Sequence, residues 1–332
     1  MFTSGHKSPA SGDCRATVIA PVEEIVAELA AGKMIILMDD EDRENEGDLV
    51  VAAQLVTAQH INFMLKHARG LICLPMTEER LDRLGLRMMV ATNTAPLGTA
   101  FTVSIDSRAM IANGMSAAGR ARTIIDAVSP NADAGGFVVP GHVFPLRARG
   151  GGVLVRTGQT EGAVDLCRLA GLEPAGVICE ILKEDGTMAR LPDIMSFARD
   201  HALKVGTVAD IIQYRIQHES LVKKVASARL PTKFGNGFMA HVYTTDVEEG
   251  EHLVLVKGKI SPDVPVLVRA HAEYFPGDVF GYTLRNTGKL LHAAMERISA
   301  EGSGVVLYVR RHRRGAEVLG EDGPGPITTN PG

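Results

Sequence analysis

The sequence predicts an α+β protein built as two domains, and three observations carry that reading. Short apolar runs such as MIILM at 34–38, LVVAA at 49–53 and LICL at 71–74 have the length and composition of buried strands. Longer segments between them repeat their apolar residues at helical spacing. After residues 226–233 (ASARLPTK), a stretch expected to be a linker, the texture changes to strand-like runs separated by turns. A chain of 332 residues that is 45% apolar can bury two cores.

The elements follow in order. Residues 21–32 begin with Pro21, place Val22, Ile25, Val26 and Leu29 on one helical face, and end at Gly32, a C-terminal cap. A strand at 34–38, an acidic loop at 39–48 and a strand at 49–53 come next. Thr57 caps a helix carrying Ile61, Met64, Leu65 and Ala68, which Gly70 closes. Residues 71–74 make a strand containing Cys73, and 77–84 a short helix. Pro96 and Gly98 mark a turn before a strand at 101–105. Ser116 is an N-cap, with Arg120 and Arg122 in the opening turns, an arrangement that suits either an anion or a plain surface helix. Residues 137–156 read as a Gly- and Pro-rich bend around His142. A strand at 153–155 then passes through a glycine turn into a helix starting near Thr160. A buried strand at 177–181 holds Glu180, and helices at 193–201 and 207–225 complete a first domain at 17–225. The second domain, 234–314, is expected to contain strands at 234–245, 253–257, 266–269 and 305–309 and a helix at 290–300. Residues 1–16 and 315–332 read as flexible tails.

Composition narrows the function. The formal charge of −4 and the absence of Trp argue against a nucleic-acid binder. No apolar run has the length of a membrane span, and the first residues lack an apolar signal core, so a cytoplasmic protein is expected. Cys14, Cys73, Cys167 and Cys179 show no CxxC spacing and read as buried thiols. The most informative stretch is DDEDRENEGD at 39–48, in which seven of ten residues are carboxylates and Arg43 is the one cation. Such crowding is relieved by solvent, a cation or a basic ligand, and a hard ion such as Mg²⁺ suits it. RTGQTE at 156–161, at a helix start, offers backbone N–H groups, Arg156 and the Thr160 hydroxyl to a phosphate. Glu180 inside an apolar strand demands a partner or a function.

Taken together, DDEDRENEGD (39–48), GTAFTVSID (98–106), GHVFPLRA (141–148), RTGQTE (156–161), AGVICEI (175–181) and DGTMARLP (185–192) resemble 3,4-dihydroxy-2-butanone 4-phosphate synthase. The resemblance implies an α+β domain with a mixed sheet, working as a homodimer with sites near the subunit interface. It implies conversion of D-ribulose 5-phosphate to 3,4-dihydroxy-2-butanone 4-phosphate and formate with Mg²⁺ or Mn²⁺. By resemblance Glu44 is a metal ligand, Arg43, Glu44 and Asp48 contact the substrate, and Gly47 makes the turn that lets them converge. Arg156, Thr157, Gly158, Gln159 and Thr160 form the phosphate and metal loop, and His142 and Glu180 are the catalytic pair, Glu180 also touching substrate. Two positions depart from the family: Gln159 stands where a metal-binding His is usual, and Gly119 where Asp is frequent. These departures motivate an alternative, a catalytically impaired regulatory or scaffolding homologue.

From Leu230 to about Tyr308 the sequence resembles the start of GTP cyclohydrolase II, through LPTKFGNGF, EHLVLVKG and VLVRAHAEYFPGDVFG. That family holds zinc with three cysteines. Here the matching positions are Tyr274, Arg285 and Thr287, and no cysteine follows Cys179. The expectation is a degenerate domain without zinc and without cyclohydrolase activity.

Overall fold

The computed structural model describes residues 19–245, 247 and 250–310. The tails expected at 1–16 and 315–332 lie outside the described residues. The chain divides into two compact units between His218 and Glu219. No helix among the described residues is long and apolar enough to cross a membrane.

The first unit runs α1 (Val22–Ala30), β1 (Ile35–Met38), β2 (Gly47–Ala52), α2 (Ala58–Phe63), β3 (Cys73–Met76), α3 (Glu78–Arg83), β4 (Ile105–Ser107), α4 (Ala117–Val128), β5 (Phe137–Arg147), α5 (Gln159–Leu169), β6 (Gly176–Glu180), α6 (Leu191–His201), β7 (Val205–Thr207) and α7 (Val208–His218). Its strands form one sheet in the order β4-β5-β3-β6-β2-β1-β7. Pairing is mixed: β1 runs antiparallel to β2 and parallel to β7, and β3 lies parallel to β5 but antiparallel to β6. Both faces are covered. Ile35 and Leu37 pack with α1, α5 and α7, while Ile36 and Met38 join the core beneath α2, α4 and α6. This is why β1 reads as an unbroken apolar run rather than an alternating one. Each fully buried side chain, such as Leu37, contributes about 2 kcal/mol.

Local chemistry sets the ends of these elements. The Thr57 and Thr77 hydroxyls accept from the third backbone N–H of α2 and α3. After α2 a single π-helical turn (Met64–Ala68) ends at Arg69, held in the left-handed region at φ 68°. The expected closure at Gly70 therefore falls one residue earlier. Gly70 serves a different need: a Cβ there would collide with the backbone of Glu180.

Three expectations for this unit are corrected. Residues 153–155 are not a strand, because Gly152–Leu154 form a 3₁₀ turn. Gly151 and Gly152 both have positive φ, and Val153 is apolar because it plugs the core. The bend expected at 137–156 is for most of its length the eleven-residue strand β5. The strand expected at 101–105 begins at Ile105, with Phe101 and Thr102 making only single bridges.

The second unit contains β8 (Val222–Thr232), β9 (Gly235–Thr245), β10 (Glu251–Lys257), β11 (Leu267–Ala272), α8 (Phe275–Phe280), α9 (Thr287–Glu301) and β12 (Gly304–Val309), in a mixed sheet ordered β11-β12-β10-β9-β8. Phe238, Leu255, Met295, Ile298 and Val306 make its core. The helix expected at 207–225 ends at His218, and the linker expected at 226–233 is mostly β8. β8 is an edge strand exposed along nearly its whole length, so its sequence carries no alternation to betray it.

Candidate active site

Asp39 organises the acidic loop. Its side chain is fully buried, and one oxygen accepts from the Arg43 guanidinium (2.7 Å) and the Glu44 backbone N–H (3.1 Å). The other accepts from the Glu46 N–H at 2.8 Å. Arg190 secures the outside of the loop through the carbonyls of Glu44 (2.5 Å) and Asn45 (2.7 Å). Gly47, expected to make the turn, is instead the first residue of β2. A side chain there would strike Ile194 and Met38, so Gly47 supplies space rather than a bend.

The loop meets the start of α5. Arg43 Nη1 donates to Glu44 Oε2 (2.5 Å) and to Gln159 Oε1 (3.1 Å). The Gln159 amide donates in turn to the Glu46 carbonyl at 3.2 Å, which aims its oxygen at Arg43. Gly158 is the N-cap of α5, and a Cβ on it would lie 2.5 Å from Arg156 Nη1 and 3.0 Å from Arg43 Nη2. Two guanidinium groups thus flank the first turn of an eleven-residue helix, a strongly anion-attracting place. Arg156 is fixed by the buried Glu161 (2.6 Å) and by the Leu97 carbonyl (3.3 Å). Thr160 is buried in the same turn, and Thr157 lines a cavity of about 340 Å³ with Arg43, Asp40 and Asp42.

Asp48 and Glu180 face each other across β2 and β6. Directly opposed carboxylates on one sheet face lie roughly 5 Å apart at Cβ. Asp48 is buried, and that burial, then the charge of Glu180, then Glu44 and Glu46, push its carboxyl well above the usual range. Glu180 Oε2 accepts the Leu71 backbone N–H at 2.9 Å. Cys73 and Cys179 are buried beside this pair; burial first, then Glu180 and Asp48, raise both thiols. They are protonated core residues, as expected from the sequence.

His142 lies on β5 and is held by Asp106. Its Nδ1 is 2.6 Å from Asp106 Oδ2, and its backbone N–H donates to Asp106 Oδ1 at 3.0 Å. Gly141 permits the arrangement, since a Cβ there would occupy the backbone of Ile105 and Asp106. Asp106 thus fixes the Nδ1 side of the ring, and about half of the side chain is exposed. Among the described residues no hydrogen bond joins His142 to the acidic loop. Asp106 and Asp39 are functional candidates that the sequence reading missed. Asp106 follows the strand-like run FTVSI, a weaker form of the signal that picked out Glu180 inside an apolar strand. The anion site considered at 116–122 is not assembled: Arg122 is tied to Asp126 at 2.8 Å, and Arg120 is buried in the unit. Gly119 leaves no room for the family's Asp, because the Asn113 carbonyl fills the place of a Cβ.

In the second unit, Tyr274 and Thr287 meet at Asp278. This buried carboxylate accepts from Thr287 Oγ1 (2.6 Å), Tyr308 OH (2.8 Å), His271 Nε2 (2.9 Å) and the Tyr274 N–H (2.9 Å). Burial alone would raise Asp278, but the hydrogen bonds from Thr287, Tyr274, His271 and Tyr308 hold it below the usual range. The Arg285 guanidinium lies 4.6 Å from the Tyr274 ring centre. Among the described residues no three His, Cys, Asp or Glu side chains cluster as a metal cage.

Residues 23–214 match the 3,4-dihydroxy-2-butanone 4-phosphate synthase family, and residues 223–321 match GTP cyclohydrolase II. A riboflavin biosynthesis protein RibBA of Aquifex aeolicus is 53% identical over 293 residues, covering 88% of this chain and 72% of its own length. A 3,4-dihydroxy-2-butanone 4-phosphate synthase of Neisseria meningitidis serogroup B is 51% identical over 301 residues, covering 91% and 82%. Among solved structures, RibBX of A. baumannii, a two-domain 3,4-dihydroxy-2-butanone 4-phosphate synthase, superposes with a TM-score of 0.74 at 43% identity, covering 91% of this chain and 84% of its own. A 3,4-dihydroxy-2-butanone 4-phosphate synthase in complex with two magnesium ions gives 0.58 at 40% identity, covering 60% and 98%. These likenesses define an enzyme of riboflavin biosynthesis with two fused domains. The chain belongs to the 3,4-dihydroxy-2-butanone 4-phosphate synthase family of lyases, and a GTP cyclohydrolase II-type domain follows its synthase domain.

Proposed function

We propose that this enzyme converts D-ribulose 5-phosphate to L-3,4-dihydroxy-2-butanone 4-phosphate and formate as a homodimer. The reading includes one divalent ion, Mg²⁺ or Mn²⁺, and a second unit that neither opens GTP nor holds zinc. One observation carries the synthase reading: Glu44 and Gln159 direct oxygens at a single cationic point, beside two arginines at a helix N-terminus and the opposed Asp48 and Glu180. The donor set fits a hard ion, because a carboxylate and an amide oxygen leave room for water and for substrate oxygens. A relative that binds magnesium supports the choice of ion. Glu44 and Gln159 would hold it, and it would supply charge stabilisation to the oxygens of an enediol.

The residues themselves divide the remaining work. Arg43 and Arg156 bind the phosphate, a remote handle that orients the reacting carbons. Thr157, Gly158 and Thr160 complete that loop. Glu180, directly opposite the buried Asp48, and His142, held at Nδ1 by Asp106, are suited to take and return protons. The absence of zinc rests on the missing cysteines and on Tyr274, Arg285 and Thr287 at the matching positions. Formate release from ribulose 5-phosphate by the full chain tests the first half. Ring opening of GTP, or stoichiometric zinc in the purified protein, overturns the second.

A further inference from the structure

Arg43 presents an arrangement unusual for an arginine. One of its terminal nitrogens, Nη1, is approached by three oxygens: Asp39 Oδ2 at 2.7 Å, Glu44 Oε2 at 2.5 Å and Gln159 Oε1 at 3.1 Å. That nitrogen has two hydrogens, so three acceptors exceed what it can serve with straight bonds. Three oxygens gathered on one positive atom are what a bound cation also collects. Two of them, on Glu44 and Gln159, are the atoms that the reading above assigns to the metal. The Arg43 side chain is 12% exposed and Glu44 31%, so the carboxylate is reachable from solvent while the arginine sits inside it. Gln159 cannot turn away freely, because its amide donates to the Glu46 carbonyl.

We infer that Arg43 is an internal cation that occupies the metal position of the free enzyme and must leave it before a divalent ion enters. The inference rests on the proposed metal site. A divalent ion and a guanidinium cannot share oxygens spaced this closely, since like charges at such distances repel. The other terminal nitrogen, Nη2, already lies beside Gly158 and Arg156, whose charge the buried Glu161 balances. Metal entry would therefore move Arg43 toward the phosphate end of the site. Occupancy of the site by Arg43 lowers the apparent metal affinity by the fraction of time the position is taken. If that fraction is nine-tenths, removing the arginine tightens binding about tenfold.

The test is Mn²⁺ binding to the full chain without substrate, followed by electron paramagnetic resonance of the free ion, for the wild type, Arg43→Gln and Glu44→Gln. The expected result is about tenfold tighter binding by Arg43→Gln and loss of binding by Glu44→Gln. Equal or weaker binding by Arg43→Gln, with Glu44→Gln still defective, overturns the inference and leaves the metal site standing. Unchanged binding by Glu44→Gln overturns the metal site and this inference together. Because Arg43→Gln could disturb the loop, a second measurement uses the wild type: the ¹⁵N signals of the Arg43 side chain are followed during Mg²⁺ titration. They shift in proportion to metal bound if the arginine is displaced, and their constancy contradicts it.

Discussion

Asp106 grips His142 twice, accepting from the ring at 2.6 Å and from the backbone N–H at 3.0 Å. A carboxylate placed this way fixes both the orientation of the imidazole and the nitrogen that carries its proton. Asp106→Asn keeps the shape but offers its amide N–H or carbonyl in place of a uniform acceptor. The expected outcome is a fall in kcat of about 10²-fold or more with little change in KM. Steady-state kinetics on a variant of unchanged circular dichroism checks it.

Asp48 makes a prediction for stability. Its carboxyl is raised in the folded protein, by burial first and then by Glu180. A raised carboxyl means that the folded state holds its proton more tightly than the unfolded chain. Its contribution to stability is then fully present at pH below the ordinary Asp value and is lost as pH rises through the folded value. Asp48→Asn removes this loss, so the variant melts at a higher temperature than the wild type at pH 8, and the difference closes in acid. Calorimetry across pH reads the effect, and a variant less stable at pH 8 contradicts it.

Gly158 has φ −109°, which any residue adopts, so Gly158→Ala strains no backbone. The added Cβ instead presses on the ends of Arg156 and Arg43. Long side chains yield easily, and the cost in stability is expected to stay within about 1 kcal/mol. Displaced guanidiniums bind phosphate less well, so KM for the sugar phosphate rises about tenfold. A large drop in melting temperature with an unchanged KM is the opposite outcome.

Asp278 gathers four donors in the second unit. Asp278→Ala strands the buried His271 and the half-buried Tyr308 and Thr287. The second unit is expected to lose about 3 kcal/mol, read by hydrogen exchange of β11 and β12.

The parts legible in the sequence are those whose signal is local. β1, β2 and β6 are buried on both faces, so their apolar runs announce them, and Glu180 stands out against its run. The acidic loop and RTGQTE were likewise visible as dense chemistry. What was hidden depends on partners far along the chain. Asp106 acquires meaning from His142, 36 positions away, and Asp39 from burial that its acidic neighbours disguise. Gly47, Gly70 and Gly141 are required by neighbours that pack against them, whereas in the sequence they read as a turn, a helix closure and part of a bend. β8 escaped because an exposed edge strand has no buried face to impose a pattern.

The most direct measurement is formate release from D-ribulose 5-phosphate by the purified full chain, with Mg²⁺ and then with excess chelator. The account predicts stoichiometric formate with the ion, its loss on chelation, its return on Mg²⁺ addition, and no activity in Glu44→Gln. A folded wild-type protein that releases no formate, or releases it equally with chelator present, contradicts the account.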